Sequence, residues 1–348
     1  MGLSDLFSHG KKRGESVLLI DVGATAVAGA YVRYEGDELP NILYTRRAPI
    51  EMHEGEAHER AMLRTLETLG NDILREGSPA LYRAVGSGTA DFILVSVDAP
   101  WQETTIRTES FEEKESFLFT RSLVTKRLTE TDATPAEQIL VDESVIGAIV
   151  NGYETNNPYG KKIDRASIFV LTSRIDARIA HGTIGVLRTI FHTKHIMPIA
   201  GSSLRYQAIR TVFPHEKNVL VLDATSPDVT SISLIRNGFF VMMSHTASGD
   251  GRNEANSLSA EISEIAAQYP LPRTIFLLAR ESDIATVRDS LTSANLEKLW
   301  ISDNPPTIVP IFGSQITEWV KQATVEPADT ILLLMTVYYQ HRLPTDIG

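Results

Sequence analysis

The sequence predicts an α/β protein of two lobes built by internal duplication. Three observations carry this expectation. The chain has 348 residues, roughly twice the ~150 of a typical domain. Short apolar runs alternate along it with segments of helical spacing. One design also occurs twice, roughly two hundred residues apart: an apolar run, an Asp at its end, a small-residue turn and a second apolar run.

The elements follow in order. Residues 17–20 read as a buried strand, Asp21-Val22-Gly23-Ala24-Thr25 as a turn and 26–32 as the returning strand, so the chain opens on a hairpin. Residues 42–44 read as a third strand, and 56–75 as a helix carrying Ala61, Leu63, Leu66 and Leu69 at helical spacing. The opening unit is therefore β-β-β-α, and 92–97 adds a strand. The Thr- and Glu-rich stretch 103–126 breaks that pattern, which places the start of a new subdomain nearby. Residues 138–141, 144–151 and 166–172 read as strands around a turn-rich loop at 152–162, with a helix from about 176 to 192.

The second half repeats the opening in outline. Residues 218–222 form a buried strand ending at Asp223, and 230–234 and 239–243 flank the hairpin signal Arg236-Asn237-Gly238. Leu258, Ile262 and Ile265 mark one face of a helix, 274–278 a strand, 284–291 a helix and 308–311 a strand. Ile331, Leu334, Met335 and Tyr338 share one face of a closing helix. The expected organisation is a basic tail at 1–15, a first lobe at 16–95, an inserted subdomain at 96–173, a return to the first lobe at 174–214 and a second lobe at 215–348.

Composition narrows the function. Hydrophobic residues make up 43% and charged residues 22%, a folded profile that excludes disorder throughout. With no cysteine, disulfides, thiolate metal sites and Cys nucleophiles are excluded, and a reducing compartment, the cytoplasm, is expected. The 33 basic and 44 acidic residues leave a formal charge of −11 without a long basic stripe, so nucleic acid is not an expected partner. No apolar stretch approaches the ~20 residues that span a bilayer. Leu3, Leu6 and Phe7 ahead of Lys11, Lys12 and Arg13 lack a signal peptide's apolar core. They fit either a weak interfacial anchor or a solvated terminus.

Several constellations are set aside. His53 and His58 are five apart, on different faces of a helix, so 53–58 reads as a solvated charged segment rather than a metalloprotease motif. His192 and His195 read as a helix end, and Ser87 lacks the G-x-S-x-G elbow of a hydrolase. Gly160-Lys161-Lys162 lacks the Ser or Thr of a phosphate-binding loop. Trp101 reads equally as core or as part of a contact face. No catalytic residue and no metal-ligand set stands out.

Leu19-Ile20-Asp21-Val22-Gly23-Ala24-Thr25-Ala26-Val27, Val221-Leu222-Asp223-Ala224-Thr225-Ser226-Pro227-Asp228 and Ile275-Phe276-Leu277-Leu278-Ala279-Arg280 occur in an informative order. They resemble the first phosphate turn, second phosphate turn and adenosine motif of the actin-like (ribonuclease H-like) ATPases, in the family of FtsA and PilM. The stretch 138–178, with Asn151-Gly152-Tyr153 and Asn157-Pro158-Tyr159, is similar to that family's inserted subdomain, and Gly201-Ser202-Ser203 follows it as expected. The short interval between Gly238 and Thr274 implies a reduced second lobe. The resemblance implies a cleft binding ATP and Mg²⁺ through Asp21, Gly23, Ala24, Thr25, Asp223, Thr225, Asp228, Ala279 and Arg280.

This chain departs from that pattern. Thr225 and Pro227 stand where the second turn carries glycines, Asp228 and Thr230 where Thr and Asp are expected, Ala279-Arg280 where the adenosine motif has a Gly pair, and Ala26 where a basic side chain follows the first turn. Proline also removes a backbone donor. A degenerate nucleotide site with weak or absent ATPase activity is expected, Arg280 filling it by pairing with Asp21 or Asp223. The resemblance then implies a cytoplasmic scaffold at the inner face of the membrane, PilM-like in a type IV pilus or secretion-type assembly, which recruits the cytoplasmic tail of a membrane protein. The chain stops near the end of its folded core, which favours this branch over an FtsA-like cell-division protein that binds ATP and ends in a membrane helix. A small-molecule kinase of the same superfold is the alternative of another class. Self-association into oligomers or filaments stays open.

Overall fold

Strand order is the same in two sheets. In the first, β1 (Glu15–Val22), β2 (Ala26–Tyr34), β3 (Asn41–Pro49), β4 (Phe92–Val97) and β9 (Ile196–Ala200) lie in the order β3-β2-β1-β4-β9, with the two-residue β15 (Lys321–Gln322) beyond β3. In the second, β10 (Val219–Ala224), β11 (Val229–Arg236), β12 (Phe239–Ala247), β13 (Thr274–Ala279) and β14 (Thr307–Pro310) lie in the order β12-β11-β10-β13-β14. Each sheet has three antiparallel strands followed by two that join in parallel. The computed structural model describes residues 14–131, 134–155, 157–226, 229–247, 252–280, 282–293, 299–300, 306–324 and 326–342.

The period-two alternation of each strand decides the layers. Val17 and Leu19 face one core while Leu18 and Ile20 face another, and Val219 and Val221 are likewise separated from Leu220 and Leu222. Strands buried on both faces read as unbroken apolar runs. The inner faces of both sheets meet two helices, α5 (Gly201–Val212) and α9 (Thr330–His341), in one shared core. On the outer face of the first sheet lie α1 (His58–Asp72) and α4 (Ala177–Phe191), closely packed where Gly70 abuts Ile190 and Gly182 abuts Leu63. A π-helical turn (Ile73–Gly77) carries α1 into α2 (Ser78–Val85). The outer face of the second sheet packs α6 (Arg252–Gln268) and α7 (Ile284–Ser293).

A third sheet is inserted between β4 and α4. Its strands β5 (Gln102–Phe119), β6 (Gln138–Val150), β7 (Tyr153–Thr155) and β8 (Lys161–Asp176) are antiparallel in the order β5-β8-β6-β7. Helix α3 (Arg121–Thr131) closes its core with Val124 and Leu128 against Phe111, Phe119 and Ile168.

Some expectations change. The segment 103–126 is mostly one long strand, because β5 is stabilised by its ladder to β8 rather than by its own Glu-rich sequence. The strands expected at 138–141 and 144–151 are one strand with two register shifts. Helix α9 is buried all round from Ile331 to Tyr339 instead of along one face, since it lies between two sheets. It packs on β1 and β2, and β15 pairs with β3, so the end of the expected second lobe returns to the first. The basic tail's residues 1–13 lie outside the described residues.

Candidate functional site

The same alternation that builds the core delivers three carboxylates to one place. Asp21 follows Val17 and Leu19 on the inner face of β1, and Asp223 follows Val219 and Val221 on that of β10. Asp98, one residue beyond β4, follows Leu94 in the same phase. All three are buried. They meet the start of α5, where Arg205, only 5% exposed, enters between them. Arg205 Nε donates to Asp223 Oδ2 at 2.5 Å and Nη1 to Asp98 Oδ1 at 2.7 Å. One guanidinium thus joins strand ends from both lobes.

Above this cluster, a cavity of about 650 Å³ opens between the lobes, at the β1–β2 turn, the end of β13, the short α8 (Gly313–Ile316) and the start of α9. Of the residues expected at a nucleotide site, Asp21, Gly23, Ala24, Thr25, Thr225, Ala279 and Arg280 line it. Asp223 is joined to it through Arg205 rather than lining it. Asp228, with Pro227, lies outside the described residues. Arg47, in register with Ala28 and Asp21 across the first sheet, and Asp329 also line the cavity and pair at 2.6 Å. Asp329 also caps α9 by accepting from the Leu332 N–H at 2.9 Å.

The two turns are held differently. In the first, the Gly23 N–H reaches the Ala26 carbonyl at 3.1 Å, the Ile50 N–H reaches the Thr25 carbonyl at 2.8 Å, and His58 Nε2 bonds the Ala24 carbonyl at 2.7 Å. A Cβ at Gly23 would stand 3.2 Å from the Ala26 carbonyl oxygen, so the tight turn favours glycine. In the second, Asp223 Oδ1 accepts from the Thr225 N–H at 3.1 Å and from its hydroxyl at 2.6 Å. Both Asp223 oxygens are therefore engaged.

Burial dominates the electrostatics of Asp21 and Asp98. Burial pushes the Asp21 carboxyl well above the ordinary carboxylate range, with Asp98 and Asp329 adding to the shift against Arg205 and Arg47. Its Oδ1 is buried without a hydrogen-bond partner. Burial also raises Asp98, opposed first by Arg205. For Arg205, burial disfavours the cation, but Asp223, Asp98 and Asp21 outweigh it and its pKa is raised.

The arrangement fits the two expected ligands unequally. The cavity, its small-residue turn and its apolar wall of Leu278, Phe312 and Ile331 suit a nucleotide-sized molecule. A divalent ion does not fit between Asp98 and Asp223, because the guanidinium already bonds both. Among the described residues, no group of three His, Asp or Glu side chains is placed to hold a metal.

A buried polar cluster ties this floor to the inserted sheet. The Ser202 hydroxyl contacts Gln102 Oε1 and Thr104 Oγ1 at 3.0 Å each, and Thr104 Oγ1 lies 2.9 Å from Ser173 Oγ.

Two sequence expectations are corrected here. Arg280 pairs with neither Asp21 nor Asp223; its Nε donates to Asp283 Oδ2 at 2.6 Å and its Nη1 reaches Thr25 Oγ1 at 3.5 Å, because β13 ends at the cleft rim rather than at its floor. His58 is a half-buried support of the first turn rather than a solvated residue. Trp101, which the sequence left as core or contact face, is half-buried: its ring lies tilted at 47° to that of His58 with centroids 4.9 Å apart and packs against the first lobe's outer core. Sequence reasoning missed Asp98, Arg205, Arg47 and Asp329. Asp98 had a signal, since Val95-Ser96-Val97-Asp98 is another strand ending in Asp. Arg205 had none, its partners lying 107 and 18 residues away.

No protein-family model and no curated protein sequence matches this chain. Solved structures do. A chain of a PilM–PilN type IV pilus biogenesis complex is 14% identical, with 92% of this chain and 96% of that one covered and a TM-score of 0.55. A Bacteroides thetaiotaomicron protein of actin-like ATPase fold and unknown function is 10% identical, covering 86% and 92%, with a TM-score of 0.45. The cytoplasmic domain of EpsL, an inner-membrane component of the Vibrio cholerae type II secretion system, is 10% identical over 94% and 96%, with a TM-score of 0.38. The duplicated strand order, the cleft between the sheets and the likeness over the length of the PilM–PilN complex chain together give this protein the actin-like ATPase fold.

Proposed function

We propose that this chain is a cytoplasmic scaffold at the inner face of the membrane, PilM-like in a type IV pilus or secretion-type assembly, with a degenerate nucleotide site in its cleft. The observation that carries the reading is the likeness to a chain of the PilM–PilN complex, which extends over 92% of this chain. No helix among the described residues is long and apolar enough to cross a membrane; attachment in this reading is through a partner or the membrane surface. The partner in this reading is the cytoplasmic tail of a PilN-type membrane protein.

The cleft supports the second half of the reading. Thr225 is folded onto Asp223, and Arg280 is folded onto Asp283 at the rim. Phosphoryl transfer depends on positioned charge around the phosphates, and these side chains are committed to one another. The test is co-expression with the cytoplasmic tail of the PilN-type protein of the same genome, followed by size-exclusion chromatography, alongside deletion of the gene in its host. A co-eluting complex and loss of surface pili or secretion are expected. Absence of a complex together with filamentous, undivided cells would replace this reading with the cell-division one.

A further inference from the structure

A buried arginine shared by carboxylates from two lobes is an unusual floor for a ligand cleft. Removing a charge from water costs several kcal/mol, and an ion pair offsets this only with good geometry. Arg205 has that geometry on two sides, to Asp223 on β10 and to Asp98 beyond β4. The backbone is shaped for it. A Cβ at Gly201 would lie 1.8 Å from Asp98 Oδ1 and 2.9 Å from Arg205 Nη1, so only glycine at the start of α5 lets this pair form against the helix end. The acids still outnumber the base. Asp21, 3% exposed, lines the same cavity with its Oδ1 unpartnered.

We propose that Arg205 is the permanent cation of this cleft, holding Asp98 and Asp223 together as a bridging divalent metal would, so that the cleft takes its ligand without a metal. Unlike a bound ion, a side-chain cation cannot dissociate with a ligand. The tie between the lobes is then independent of metal supply. The inference does not depend on the pilus reading.

The test is a Mn²⁺ titration of the full chain, stripped with chelator, read by the electron paramagnetic resonance signal of free Mn²⁺ and by thermal melting. The wild type is expected to leave millimolar Mn²⁺ free and to melt at the same temperature with and without it. Arg205→Gln is expected to melt lower, to bind Mn²⁺ about tenfold or more tighter than the wild type, and to regain stability with Mn²⁺ but not with NaCl of equal ionic strength. That rescue is expected to vanish when Asp223→Asn is added. Mn²⁺ bound by the wild type and lost in Asp98→Asn or Asp223→Asn overturns the assignment. So does a folded Arg205→Gln that Mn²⁺ neither binds nor stabilises, which is what a merely structural ion pair gives. Should Arg205→Gln fail to fold, the wild-type titration is paired with Arg205→Lys: a folded Arg205→Lys together with no Mn²⁺ bound by the wild type supports the assignment, and Mn²⁺ bound by the wild type overturns it.

Discussion

The two hairpin turns occupy the same place in their sheets yet differ in what they leave free. Asp21 pairs across to Ala28 and, in parallel, to Ser96; Asp223 pairs across to Ser231 and, in parallel, to Leu278. Topology makes them equivalent. Asp223 spends one oxygen on Thr225 and the other on Arg205, whereas Asp21 keeps a buried oxygen without a partner. The first turn is held instead by its carbonyls, through His58 and the Ile50 N–H. The two sheets therefore repeat a backbone, while side chains arriving from elsewhere in the chain decide which turn keeps an unpartnered carboxylate oxygen.

Removing Arg205 should erase the difference, and the largest effect is expected there. Arg205→Met strands Asp98 and Asp223 in the interior and should cost about 3–5 kcal/mol by urea denaturation, part of it recovered when Asp223→Asn is added. Gly201→Ala attacks the same pair from the backbone. Its new methyl would collide with Asp98, and a loss of about 1–3 kcal/mol is expected from such overpacking.

Asp21→Asn sharpens the comparison from the other side. Asp21 is raised first by burial and then by Asp98 and Asp329. Stability associated with its protonated form is fully present below the ordinary carboxylate pKa and is lost as pH rises through the folded value. Asp21→Asn should therefore melt above the wild type at pH 8, with the gap closing on acidification. Equal melting across pH 4–8 would mean that Asp21 carries no such burden. The smallest effect is expected at Arg280, a rim residue 42% exposed. Arg280→Ala should change stability by no more than ~0.5 kcal/mol, where a floor arginine paired with Asp21 or Asp223 would have cost several times more.

Legibility followed the range of the interactions. The runs at 17–20, 92–97 and 219–222 were readable because a strand buried on both faces is a nearly continuous apolar run, interrupted here only by Ser96. Asp21 and Asp223 were readable as the acids that end such runs, and Asp98 follows the same rule. The charged β5 was not, since its strand conformation comes from pairing with β8 more than forty residues later. Helix α9 was found but given one buried face, because its sequence does not say that a sheet will lie on each side.

By itself, then, the sequence determined β1 to β4 and β10 to β14, the duplicated turns and the small residues that shape them, since alternation, turn chemistry and apolar runs act over a few residues. Only the tertiary structure decided which cation serves Asp98 and Asp223. Arg205 has no distinguishing signal in sequence, and its role exists only because two sheets fold onto α5 and bring carboxylates from both lobes to one guanidinium. Contacts of that kind are set by three-dimensional closure, and no local pattern encodes them.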